Sequence, residues 1–258
     1  MPAGSDEGRS RLASDPASAS HDLVIAGIQP TTLVDYPGLV AAVVFTAGCG
    51  FRCPFCHNPE LVLPERVRSG PTVDEASVLA TLAERSGFLD GVVITGGEPT
   101  LHRGLARFAE RIKDLGLRVK LDTNGTRPDV LDRLFDRGLL DYVAMDIKAP
   151  PDLYERYAGV RVDLAAIEAS IERIVRRAPE HEFRTTVAPG LSVDDIERTA
   201  EWLNSQGARR YALQRFRVPD DKGLVDASWE GRSGLDADDL QRAWERIAGR
   251  FSDGGVRA

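Results

Sequence analysis

The sequence predicts an α/β fold built round a parallel sheet. Three observations carry the prediction. Six short apolar runs alternate with six segments of helical periodicity, as repeated strand–helix units do. Each run is rich in Val, Ile, Leu, Phe or Tyr, as strands buried on both faces are. Polar or glycine-rich residues recur at the C-terminal end of every run, which is where folds of this kind bind ligands. Right-handed crossovers leave two arrangements open, a doubly wound open sheet and a partial barrel, since six units are fewer than the eight of a closed barrel.

The apolar runs lie at 39–46, 91–95, 118–122, 142–147, 182–187 and 209–216, and an extra strand is expected at 23–28. Helices are expected over 73–85, 101–115, 127–137, 164–177, 193–206 and 237–250. Thr72, with Glu75 three residues on, reads as a capping box for the first helix. Gly87, Gly116, Gly138 and Gly207 follow four helix ends, where a left-handed residue is wanted. Ser192 caps the fifth helix, with Asp194 and Asp195 in its first turn. Leu164, Ile167, Ile171, Ile174 and Val175 form an apolar stripe that reads as packing. Residues 218–235 lack periodicity and read as a long loop over one end. The expected division is a disordered tail over 1–20, one domain over 21–251 and a C-terminal tail over 252–258.

A chain of 258 residues with 42% hydrophobic and 28% charged residues can bury a core without staples. The net charge of −7 gives no nucleic-acid-like excess of positive charge. Arg209, Arg210, Arg215 and Arg217 read as a solvated rim. The first twenty residues contain no apolar segment of the secretory kind, and no run of eighteen apolar residues suggests a membrane span.

All three cysteines, Cys49, Cys53 and Cys56, fall in one short stretch after the first run. An odd, tightly clustered set argues against a disulfide framework and for a reducing, cytoplasmic setting. Three thiolates can hold three corners of a four-iron cluster and leave the fourth iron without a protein ligand. Other chemistries compete. Cys53 to His57 matches a c-type haem attachment signature, but that chemistry needs export. A redox dithiol would leave Cys49 idle. A Cys3His zinc site using His57 would leave the other strand ends unexplained.

Those ends carry further candidates. Gly96, Gly97 and Glu98 follow the second run, and paired glycines allow close approach to the backbone. The third run ends in Leu121, Asp122, Thr123, Asn124 and Gly125, and the fourth in Met145, Asp146, Ile147 and Lys148. Two carboxylates on neighbouring strands must share a proton or a cation. Lys148 is two residues beyond Asp146 and so shares its face, suiting a ligand carboxylate. Arg184 lies on the fifth run and Gln214 on the sixth.

At this point the residues carry a resemblance. The spacing Cys49-x3-Cys53-x-Phe55-Cys56, followed by Gly96-Gly97-Glu98-Pro99, resembles the radical S-adenosylmethionine superfamily. The runs from Cys56 to Pro59 and from Leu121 to Gly125, with Asp146 and Lys148, resemble more narrowly the activating enzymes of glycyl-radical enzymes. The segment from Thr32 to Gly38 is similar to the group called anaerobic ribonucleoside-triphosphate reductase activating proteins.

The resemblance implies a partial (β/α)6 barrel. It implies a [4Fe–4S] cluster on Cys49, Cys53 and Cys56, with S-adenosylmethionine chelating the open iron. It places Phe55 near the adenine and the strand end Gly96–Gly97–Glu98 at the methionine amino group. Lys148 meets the methionine carboxylate, and Arg184 and Asn124 lie near the ligand. Asp122, Thr123, Ala144 and Asp146 match a monovalent-cation site. Gln214 stands where some activating enzymes have a ribose-side histidine. The implied reaction is reductive cleavage to a 5′-deoxyadenosyl radical that takes hydrogen from a glycine of a partner enzyme. That partner is a glycyl-radical enzyme such as an anaerobic ribonucleotide reductase. With no second cysteine group, flavodoxin or ferredoxin would supply the electron. A 7-carboxy-7-deazaguanine synthase-like enzyme acting on a small molecule is the rival from the same superfamily, and a zinc-stabilised binding module the rival from outside it.

Overall fold

The computed structural model of the protein describes residues 22–219 and 222–257, so the tail expected over 1–20 lies outside the described residues. One sheet holds eight strands: β1 (Ile25–Thr32), β2 (Ala41–Thr46), β3 (Gly91–Gly96), β4 (Arg118–Thr123), β5 (Tyr142–Asp146), β6 (Glu180–Val187), β7 (Arg210–Arg215) and β8 (Asp253–Arg257). They lie side by side in chain order, and β1 and β8 form the two ends of the sheet. Strand β1 is antiparallel to β2, and every later pair is parallel. Consecutive parallel neighbours joined by helices curl the sheet into a partial barrel rather than winding it both ways.

The joining helices are α3 (Glu75–Arg85), α4 (Leu105–Asp114), α5 (Pro128–Asp136), α7 (Leu164–Arg177), α8 (Val193–Ser205) and α9 (Ala237–Ile247). Shorter helices α1 (Pro59–Val62) and α2 (Pro64–Ser69) follow the cysteine loop, and α6 (Tyr154–Ala158) follows β5. The stripe on α7 packs as its spacing predicts, with Ile167, Ile171 and Ile174 fully buried. Burying each such side chain is worth about 1.5–3 kcal/mol. Ser192 caps α8 in a complete capping box with Asp195.

Strand parity divides the core. Ala42 and Val44 of β2 belong to the large apolar layer beneath the helices. Their alternates Ala41 and Val43 join Tyr36, Val93, Tyr142 and Ala144 on the inner face. Tyr36 is 4% exposed and meets Tyr142 edge-on at 5.8 Å, so it plugs the inner floor. A Cβ at Gly91 would meet its ring at 3.0 Å. The Thr32 hydroxyl bonds the Asp35 carboxylate and shapes the turn that delivers Tyr36.

Several expectations are corrected. Residues 253–257, expected within a tail, form β8 and pair with β7. Helix α3 is capped by Asp74, which accepts from the Ser77 amide at 3.1 Å, and not by Thr72. Gly116, Gly138 and Gly207 have positive φ; Gly87 does not.

Candidate functional site

The cysteine loop leaves β2 and is held from every side. The Gly48 amide donates to Leu61 O at 2.7 Å, and the Arg52 amide donates to Ala158 O at 2.8 Å. A Cβ at Gly159 would sit 2.0 Å from Arg52 O, and its φ of +70° completes the reason for glycine there. Arg52 Nη1 reaches back to the carbonyls of Cys49 and Phe51 at 2.7 and 2.6 Å. Two amides from the 218–235 segment close the far side: Val225 donates to Cys56 O at 3.0 Å and Asp226 to Pro54 O at 3.1 Å. His102 braces the approach, with Nε2 3.0 Å from Ala47 O and Nδ1 accepting from the Val24 amide at 3.4 Å.

Phe55 does not point into open space. It is 6% exposed, and its ring lies 6.2 Å from both Tyr157 and Trp229, which are themselves 6.0 Å apart. Trp229 and the Val225 and Asp226 amides are contacts to the cysteine loop that periodicity missed, because nothing local to 218–235 announces a contact with Cys56.

The paired glycines serve the loop's own backbone. A Cβ at Gly97 would meet Gly48 O at 2.1 Å, and one at Gly96 would meet Thr46 O at 2.3 Å. Hydrogen bonds run across the same contact, from the Gly97 amide to Thr46 O and from the Glu98 amide to Gly48 O. The Glu98 side chain is wholly buried and turned sideways. It accepts from Thr100 Oγ1 at 2.5 Å, Thr123 Oγ1 at 2.8 Å and the Asn124 amide at 2.6 Å, so it ties the end of β3 to the end of β4. Burial raises its pKa against those donors.

The inner face above the apolar floor is a ladder of charges from β4 to β8. Lys120 Nζ lies 2.6 Å from Asp122. Arg184 spans the two strand-end carboxylates, 3.3 Å from Asp122 and 2.9 Å from Asp146. Lys148 Nζ is 3.3 Å from the other oxygen of Asp146. Arg257 of β8 forks onto buried Glu182 at 3.1 and 2.5 Å. Among the described residues, the cation that Asp122 and Asp146 share is the Arg184 guanidinium. Burial opposes both carboxylates, but Arg184 with Lys120 or Lys148 outweighs it and holds their pKa values below the ordinary range. Burial likewise works against the Lys148 ammonium, and Asp146, Cys53 and Cys56 raise it. Ala144 lies on the same inner face, buried below Asp146. Gln214 accepts weakly from Thr186 at 3.4 Å and pairs in register with Arg257.

The thiols suit an iron–sulfur cluster. Burial pushes Cys49 up to about 11 and Cys53 to about 12, and it also raises Cys56, so loading metal releases protons. Lys148 favours the thiolate form of all three, and would offset the negative charge of a four-iron cluster held by three thiolates. Cys49 Sγ already receives two donors, the Phe51 amide at 3.4 Å and Asn124 Nδ2 at 3.8 Å. Tyr154 is fully buried beside Cys53, Asp146 and Lys148, and burial raises its pKa while Lys148 opposes the rise. A zinc site fits poorly: His57 is exposed, and among the described residues no three His, Cys, Asp or Glu gather as round one ion.

Beside the loop lies a cavity of about 280 Å³, floored by Ala26, Gly27, Phe45 and Leu61 and rimmed by Glu60 and Lys222, which pair at 2.9 Å.

Comparison with known proteins places the chain in a family. The family model described as the radical SAM superfamily matches residues 43–203. A Methanocaldococcus jannaschii protein named as a glycyl-radical enzyme activating enzyme is 35% identical over 76% of this chain and 81% of its own length. A Hyperthermus butylicus 7-carboxy-7-deazaguanine synthase is 37% identical, over 36% of this chain and 38% of its own. Among solved structures, Streptococcus suis SuiB shares the fold with a TM-score of 0.63 at 13% identity, over 82% of this chain. The chain spans about half the length of that protein, 47%.

Proposed function

The chain belongs to the radical S-adenosylmethionine superfamily, and from that premise we propose that it installs a glycyl radical on a partner enzyme. The family's [4Fe–4S] cluster and S-adenosylmethionine together supply the reductive cleavage that yields a 5′-deoxyadenosyl radical. What this chain contributes is placement and shielding. Cys49, Cys53 and Cys56 hold three irons and leave one open. Lys148 and Arg184, at the top of the charge ladder, receive the methionine carboxylate. The backbone ends of β3 receive the amino group, while the Glu98 side chain keeps that end in place. Phe55, fixed by Tyr157 and Trp229, presents its main chain to the adenine. Gln214 and Asn124 complete the ligand's polar surroundings, and the buried loop keeps water from the reacting centre.

The match that runs along most of both chains is the observation that carries the glycyl-radical reading. The match to the deazaguanine synthase covers little more than a third of each chain, which supports the small-molecule reading less. The described part of 218–235 also lies on the cysteine loop rather than walling a closed pocket, apart from Lys222 at the cavity rim. The partner so proposed is a glycyl-radical enzyme such as an anaerobic ribonucleotide reductase, with a flavodoxin or ferredoxin as donor, in the cytoplasm. Among the described residues no helix is long and apolar enough to cross a membrane.

The test is anaerobic. Reconstituted protein is mixed with reductant, S-adenosylmethionine and the reductase, and the reductase is examined by electron paramagnetic resonance. A glycyl-radical doublet with stoichiometric 5′-deoxyadenosine is expected, and both vanish in Cys53→Ala. Nucleoside formed without any radical on glycyl-radical enzymes would overturn the partner assignment and leave the family chemistry standing.

A further inference from the structure

We propose that Asn124 is a positioning residue that sets the reduction potential of the cluster by donating an N–H···S hydrogen bond to the Cys49 sulfur. The inference uses the family's cluster and is independent of what the radical attacks.

The argument begins with the amide's orientation. Asn124 Oδ1 accepts from the Thr126 amide at 3.1 Å and from Thr126 Oγ1 at 2.8 Å. A backbone N–H can only donate, so the oxygen must face Thr126 and the NH2 group must face away. The NH2 group faces Cys49, with Nδ2 3.8 Å from Sγ. The residue cannot drift, because its own amide is held by Glu98 at 2.6 Å and Glu98 is wholly buried. Asn124 itself is only 6% exposed, so water competes little for its NH2 group.

Hydrogen bonds to cluster sulfurs are among the levers that set cluster potential. Adding one electron raises the negative charge on the thiolate sulfurs, so a fixed donor stabilises the reduced cluster more than the oxidised one. Cys49 has two such donors, the Phe51 backbone amide and the Asn124 side-chain NH2; the Phe51 contact is backbone and survives every substitution there except proline. Asn124 is thus the side chain through which sequence tunes this corner. The same arrangement explains why the β4 end is tied to the β3 end by Glu98: the tie fixes the donor as well as the loop.

The experiment is a redox titration of the holoprotein with dithionite and mediators, following the reduced cluster's electron paramagnetic resonance signal. In Asn124→Leu the donor is gone, and the one-electron reduction equilibrium should become three- to tenfold less favourable. At 59 mV per decade for one electron, that is a fall of about 30–60 mV. Asn124→Asp keeps the acceptor toward Thr126 but replaces the donor with a carboxylate, and should fall at least as far. Thr126→Pro removes both anchors on Oδ1, the backbone N–H and the hydroxyl, frees the amide to rotate, and should fall less than Asn124→Leu. Iron content and signal shape report whether the cluster is otherwise intact. A potential unchanged from wild type in any Asn124 variant that still binds four irons overturns the proposal. Should neither hold its cluster, an unchanged potential in Thr126→Pro overturns it instead.

Discussion

Gly97 lies where two backbones meet with no room for a methyl group. Its added Cβ would stand 2.1 Å from Gly48 O and 2.9 Å from Leu61 O, both main-chain atoms that cannot swing aside. Gly97→Ala is expected to cost about 1–3 kcal/mol as an overpacked contact. The displacement falls on the segment leading into Cys49. Thermal unfolding of the metal-free chain should show the stability loss, and iron per chain after reconstitution should fall with it. Wild-type iron content together with a wild-type melting temperature would contradict the close approach. The glycine pair was legible in the sequence as a place of close contact, but not which contact; the neighbour is the cysteine loop itself, brought there by β2–β3 pairing. The direction of Phe55 was not legible at all, because its partner Trp229 lies in a segment without periodicity.

Among the elements, the inner face of β4, β5 and β6 was the most legible. Alternation alone puts Lys120 with Asp122, Ala144 with Asp146, and Glu182 with Arg184 on one side of the sheet. What alternation could not give was the pairing across strands, in which Arg184 bridges Asp122 and Asp146. Strand β8 was missed because Gly254 and Gly255 have low β-propensity and little to pack. Its Arg257 nonetheless neutralises Glu182, and so completes the ladder from the far end.

The ladder predicts a pH dependence. Asp122 and Asp146 are held below their ordinary value of 3.8, so the folded state binds their protons less readily than the unfolded chain. The stabilisation is therefore present above about pH 4 and lost as pH falls through and below that value. In unfolding titrations, wild type should exceed Asp146→Asn in stability at neutral pH, and the gap should narrow as the solution is acidified below 3.8. A gap independent of pH would mean that the carboxylate charge is not what stabilises the site.

At the scale of the whole molecule, the sheet runs in chain order while the cysteine loop collects contacts from all along the sequence. Val24, Leu61, His102, Asn124, Ala158 and Val225 each supply one. The alternation of runs gave the parallel strand–helix units, but a doubly wound sheet would alternate in the same way, and the consecutive pairing from β1 to β8 is what selects the partial barrel. The cage round the cysteines could not, since the bonds that tie the loop to residues flanking β1 and β4, to α6 and to the 218–235 segment join residues far apart in sequence. Trp229→Ala tests the last part to arrive. Removing a buried tryptophan costs about 3–5 kcal/mol, concentrated on the segment over Cys56. The sheet should survive by far-ultraviolet circular dichroism, while the visible absorbance of the cluster should bleach faster on exposure to air. Equal bleaching rates would show that the strap does not guard the loop.

The two hydrogen bonds from Val225 and Asp226 have a consequence for biosynthesis. During translation, the thiols emerge early, yet the lid over them is encoded some 170 residues later. A chain still tethered to the ribosome would offer its iron-binding residues only a half-built nest. Metallation thus belongs after release, and the cell's iron–sulfur donors should act on the finished polypeptide, not on the nascent one.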